Sequence, residues 1–122
     1  MTRTPRIPGP DHPITIEPTG GRVVVRSGDT VVADTTRALS LREAEYPAAQ
    51  YIPLEDVDQS LLVPSDTTTY CPFKGDASYC SLTTPEGELT DAIWSYREPY
   101  AAVAPIAGHV AFYPDKVEIV IQ

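Results

Sequence analysis

Cys71 and Lys74 stand three residues apart in Thr69-Tyr-Cys-Pro-Phe-Lys-Gly-Asp-Ala-Ser-Tyr79, the densest run of chemically capable side chains in the sequence. A thiol beside an ammonium has its thiolate favoured and becomes nucleophilic. Cys71 is therefore a candidate catalytic nucleophile, with Lys74 stabilising the thiolate or a developing oxyanion. Lys74 is equally suited to holding an anionic ligand, with Tyr79 donating a hydrogen bond. The structural alternative is a plain hairpin, in which proline fixes the turn, Gly75 supplies a positive φ and Cys71 packs as a small hydrophobe.

Trp94-Ser-Tyr96 puts the only tryptophan and a tyrosine on one strand face, because residues i and i+2 point the same way. With Tyr51 and Tyr79 they are candidates to wall a small-molecule pocket; otherwise Trp94 is simply the largest plug of the core. Glu43 follows Leu39 and Leu41 in an alternating run and turns inward with them. A buried carboxylate needs a partner. Arg42 faces the other way, which leaves Lys74 or Arg97; if the strand ends earlier, Glu43 is solvated. His109 shares a face with Ala111 and Tyr113 and reads as a surface or hydrogen-bonded histidine. His12, in Pro10-Asp-His-Pro13, can anchor its segment by a hydrogen bond.

The usual cofactor and metal motifs are missing. There is no Gly-rich phosphate loop, no Gly-x-Ser-x-Gly elbow and no Cys-x-x-Cys. His12, His109, Cys71 and Cys80 have no zinc-like spacing, so neither a metal nor a cofactor is expected.

The elements that must position these residues are short. Thirteen prolines among 122 residues are about twice the ordinary share, which argues against long helices. Arg22–Arg26 and Thr30–Asp34 flank Ser27-Gly28-Asp29 and predict a hairpin with a three-residue loop. Thr67–Cys71 and Ala77–Thr83 predict a second hairpin around Pro72–Gly75, with Cys71 opposite Asp76. Cys80 then lies about 13 Å along the strand, so the two thiols stay unpaired. Pro85–Glu88 turns the chain into Leu89–Tyr96, and His109–Tyr113 and Lys116–Ile121 are closing strands. From Pro53, with Glu55, Asp56 and Asp58 in its first turn, a helix of two turns at most runs to Pro64; Ala101–Ala104 is a candidate single turn. The expectation is a mainly β fold of two packed antiparallel sheets with one or two short helices. An extended Pro-rich arm over residues 1–13 precedes a single domain over 14–122.

Nine Lys+Arg against 17 Asp+Glu give a net charge of −8. That balance opposes phosphate backbones and anionic lipid, so no nucleic-acid or membrane partner is expected. No apolar run reaches the roughly 18 residues of a membrane span, and no apolar stretch follows the basic start, which predicts a cytoplasmic protein.

Several segments occur together in an ordered set: Pro8-Gly-Pro-Asp-His-Pro-Ile14, Leu41-Arg-Glu43 with Tyr46-Pro47, Tyr51-Ile-Pro53 with Glu55-Asp-Val57, Thr69-x-Cys-Pro-x-Lys-Gly75, Ala77-Ser-Tyr79, Trp94-Ser-Tyr96 and Ala111-Phe-Tyr113. In these the chain resembles the bacterial domain of unknown function 427 family, over about residues 8 to 118. The resemblance implies a β-tent (Mss4-like) fold, two antiparallel sheets meeting at an angle, and no established reaction. A nucleotidyltransferase label attached to the family does not carry over, since no paired acidic residues follow a Gly-Ser here. Zinc and sulfoxide reduction, known among other β-tent proteins, do not carry over either, because the Cys-x-x-Cys pairs are absent. Cys80 stands where family members usually carry an aromatic residue, which implies a packing position.

The reading that combines these signals is a domain binding a small molecule or peptide. Tyr51, Tyr79, Trp94 and Tyr96 would wall its pocket, and Glu43, Cys71 and Lys74 would make the polar contacts. An enzyme using Cys71 as nucleophile is the alternative. A third reading is an interaction module, monomeric or homodimeric through an edge strand such as Ile14–Glu17.

Overall fold

Val23-Val-Val and Val31-Val are β-branched runs that favour the pleated state, and they form the hairpin predicted for them. The computed structural model describes residues 4–122; Met1–Arg3, the start of the predicted arm, lie outside the described residues. The strands are β1 (Ile14–Pro18), β2 (Val23–Ser27), β3 (Thr30–Thr35), β4 (Leu39–Glu43), β5 (Ala49–Pro53), β6 (Leu62–Cys71), β7 (Gly75–Thr84), β8 (Gly87–Ser95), β9 (His109–Phe112) and β10 (Glu118–Ile121). They build two antiparallel sheets, one ordered β1-β4-β5-β9-β8-β7-β6 and the other β10-β2-β3.

Alternation along the strands gives the larger sheet two apolar faces. On one face Ile52, Leu82, Ile93 and Phe112 pack against Val23, Val25 and Val32 of the smaller sheet, which forms the first core. On the other face Leu41, Tyr51, Ala77 and Ala111 gather with Val103 and Ile106 into a second core. Val103 and Ile106 come from the 3-10 segment Ala101–Ile106.

Three local expectations change. Ser27 pairs with Thr30, so the first hairpin loop is two residues long, Gly28-Asp29, with Gly28 at φ +57°. That is the position such a loop reserves for glycine. Cys71 pairs with Gly75 and Tyr70 with Asp76, one step from the expected register. Gly75 adopts φ +111° and joins the ladder, leaving Pro72-Phe-Lys74 as the loop. The helix expected between Pro53 and Pro64 is replaced by two isolated 3-10 turns, Leu54–Asp56 and Gln59–Leu61. Between them Val57 is buried in the first core and bridges Ala33, while the Asp58 N–H donates to the Val32 carbonyl at 2.8 Å. Covering the exposed edge of β3 requires extended backbone there, and that tertiary demand overrides the helical pattern. Pro64 consequently lies inside β6, on the outer strand of the larger sheet, where its missing N–H costs no ladder bond.

Candidate functional site

A row of directly paired residues crosses the larger sheet on its second-core face: Tyr79 opposite Trp94, Trp94 opposite Ala111, Ala111 opposite Tyr51, and Tyr51 opposite Leu39. Ala111 is the only small member of the row, and it is fully buried. The gap above its methyl lets the indole Nε1–H of Trp94 donate to the Tyr51 hydroxyl at 3.0 Å. Their rings meet edge to face, with centroids 6.3 Å apart. Tyr113, just beyond β9, packs on the other side of the indole at 4.5 Å between centroids. Burial raises the Tyr113 hydroxyl to a pKa of about 12, and its hydrogen bond to Tyr79 pushes the same way.

One end of this row meets an ionic cluster. Glu43, at the end of β4, turns inward with Leu39 and Leu41, and one carboxylate oxygen accepts from the Lys74 ammonium. Its other oxygen accepts from His12 Nε2–H at 2.7 Å. Both members of the Glu43–Lys74 pair are largely buried. Burial alone would raise the Glu43 pKa; the bonds from Lys74 and His12 overcome it and hold the carboxyl below its ordinary value. Lys74 reaches this position from the β6–β7 loop, which the Tyr100 N–H anchors by donating to the Lys74 carbonyl at 3.0 Å. The ammonium also sits 5.7 Å from the centre of the Tyr96 ring.

The ionic pair and the aromatic pair open onto one cleft of about 570 Å³. Glu43, Tyr51, Lys74 and Trp94 all line it. Tyr46 and Pro47 of the β4–β5 loop and Ile119 and Ile121 of β10 line it as well. The other nominated residues lie behind these. Tyr79 sits opposite Trp94, with its hydroxyl 3.0 Å from that of Thr69. Tyr96 is buried beneath Lys74, and Cys71 packs half-buried in the second core. Lys74 thus has Glu43, rather than the Cys71 thiol, as its charged partner.

Two contributors were not nominated from sequence as site residues. Tyr113 shares the alternation of His109 and Ala111, which was its available signal. His12 anchors its segment through the hydrogen bond to Glu43, and it also stacks on Phe73 at 4.0 Å, with the Arg6 guanidinium 5.1 Å from the same ring. His109 stands apart from the cleft, with Nδ1–H donating to the Ala107 carbonyl at 3.0 Å. Among the described residues, no three His, Cys, Asp or Glu side chains gather as a metal site. Likewise, no helix among them is long and apolar enough to cross a membrane.

No curated protein matches the chain. Residues 15–122 match the family described as Domain of unknown function (DUF427), which covers every cleft-lining residue and, except for Ile14, both sheets. The chain belongs to the DUF427 family.

Proposed function

We propose that this protein is a binding domain whose cleft takes a small molecule with a flat apolar body and a hydrogen-bond-accepting end. The observation that carries the reading is the opening of the Trp94–Tyr51 and Glu43–Lys74 pairs onto the same cavity. Trp94 and Tyr113 offer aromatic surface to the body of such a ligand. Two donors serve its end. The Tyr51 hydroxyl already accepts from Trp94, and burial raises its pKa, so it keeps a proton to give. Lys74 commits one N–H to Glu43, and an ammonium has three. A carbonyl or carboxylate satisfies both.

The angled two-sheet arrangement of a β-tent is the fold reading that fits this family resemblance. The unpaired thiols Cys71 and Cys80 support a reducing compartment such as the cytoplasm. The net charge of −8 favours a small-molecule partner over nucleic acid or an anionic membrane.

Trp94 is the sole tryptophan, so intrinsic fluorescence reports directly on the cleft. A panel of small aromatic amides and carboxylates, scored in parallel by thermal shift, is the test. Saturable changes in Trp94 emission, weakened in Tyr51→Phe, are expected. A panel in which every compound that raises the melting temperature leaves Trp94 emission unchanged would place binding elsewhere and overturn the reading. A panel with no binder at all would overturn it too.

A further inference from the structure

The first-core side of the larger sheet holds a separate cavity of about 250 Å³, which shares no lining residue with the cleft. Its walls are apolar: Leu62 and Pro64 of β6, Ile93 of β8 and Val110 of β9. Cys80 completes the floor as a thiol, because burial raises its pKa. At the mouth stand Arg97 and His109. No aspartate or glutamate lines the cavity, although the chain is strongly acidic overall. On its other side Arg97 borders Asp76 and Glu98. His109 is oriented by its Nδ1–H bond to Ala107, which leaves Nε2 available at the rim.

We propose that this cavity is a second binding site, for a small monocarboxylic acid with an apolar body. A dry cavity of about 150 Å³ accommodates benzene, so about 250 Å³ suits a substituted ring or a short branched chain. A carboxylate emerging from that body meets a guanidinium, whose fork of donors matches it in geometry and charge. A neutral body of the same shape fills the walls but offers Arg97 no charge to meet, and selectivity for the acid follows. This site is independent of the cleft reading.

Cys80 supplies the reporter. Alkylation of the protein with N-ethylmaleimide is followed by peptide mapping, with Cys71 as the internal control; cleavage after Lys74 separates the two thiols. Phenylacetate and 4-methylpentanoate are the probes, and phenylacetamide is the neutral comparison. Saturating acid is expected to slow Cys80 labelling about fivefold or more, with Cys71 and Trp94 emission unchanged. Phenylacetamide should protect at least about tenfold more weakly by concentration, and Arg97→Gln should abolish that preference. Methyl NMR of Ile93 and Val110 gives the same reading should Cys80 label too slowly to follow. Equal protection by acid and amide overturns the proposal. So does the absence of both protection and methyl shifts with either acid at about 10 mM, or retention of the acid preference in Arg97→Gln.

Discussion

His12 and Glu43, thirty-one residues apart, are joined by a 2.7 Å hydrogen bond from the imidazole Nε2–H to the carboxylate. Because the other carboxylate oxygen holds Lys74, the segment before β1 is connected through one side chain to the ammonium that lines the cleft. The same imidazole stacks on Phe73, the neighbour of Lys74 in its loop. His12→Ala should therefore cost about 1–2 kcal/mol, from one stacked ring and one hydrogen bond to a charged group. Urea denaturation measures it. Combined with Glu43→Gln, the effect should be non-additive by at least about 0.5 kcal/mol. Full additivity would mean that the two side chains do not act as a unit.

Glu43 and Lys74 share a largely buried ion pair, and removing one partner leaves the other desolvated without compensation. Glu43→Gln should destabilise by about 3 kcal/mol. The double replacement Glu43→Leu with Lys74→Met removes both charges and should recover most of that loss, as apolar pairs of similar volume do. Equal destabilisation by the single and double variants in urea melts would show that packing, not charge, dominates here.

Glu43 also sets an acid limit. Its folded-state pKa lies below the ordinary 4.5, so the ionised form stabilises the fold. That contribution is fully present above about pH 4.5 and is lost as pH falls through the lower folded value. Thermal melts of the wild type should decline in that acid window. The decline should be shallower in Glu43→Gln, which has no carboxyl to titrate; identical slopes would remove Glu43 from the acid limb.

What was legible in the sequence, and what was not, follows from the range of the forces involved. Period-two alternation placed Leu39, Leu41 and Glu43 on one face, and elimination of Arg42 left Lys74 among the partners; the structure pairs them. The Val-rich hairpin was legible because its glycine and its β-branched residues are local signals. The segment from Pro53 to Pro64 was not, because its backbone answers to β3, some twenty-five residues earlier, through Ala33 and Val57. The shared cleft was also out of reach. Its walls come from β4, β5, β8, β9, β10 and the loops between β4 and β5, β6 and β7, and β9 and β10, and no local pattern reports that Ile119 and Tyr46 line the same cavity. The arm expected over residues 1–13 illustrates the same limit: composition marked it as extended, but only the structure shows His12 seated on Phe73.

Ala111 carries a steric prediction. It stands between Trp94 and Tyr51 in the cross-strand row with no exposed surface. A leucine there adds three carbons where the indole and phenol approach each other. Ala111→Leu should cost about 1–3 kcal/mol by overpacking and separate the Trp94–Tyr51 pair. Tyr51→Phe removes the same hydrogen bond without overpacking and should cost about 1 kcal/mol. If the two variants unfold at the same denaturant concentration, the space above Ala111 is less restricted than the row implies.

Tyrosine titration tests the aromatic wall from the alkaline side. Burial raises the pKa values of Tyr51 and Tyr96 as well as that of Tyr113, which reaches about 12. A phenol whose folded pKa exceeds its unfolded value stabilises the protein fully below about pH 10, the ordinary value, and progressively less as pH rises toward the folded value. Absorbance at 295 nm should therefore show a late group of tyrosines, Tyr51, Tyr96 and Tyr113, that ionises only well above pH 10, together with loss of far-ultraviolet circular dichroism. In Tyr79→Phe, which removes the hydrogen bond to Tyr113, the late group should begin to ionise at lower pH. A single transition near pH 10 in the folded protein would mean that water reaches the whole row.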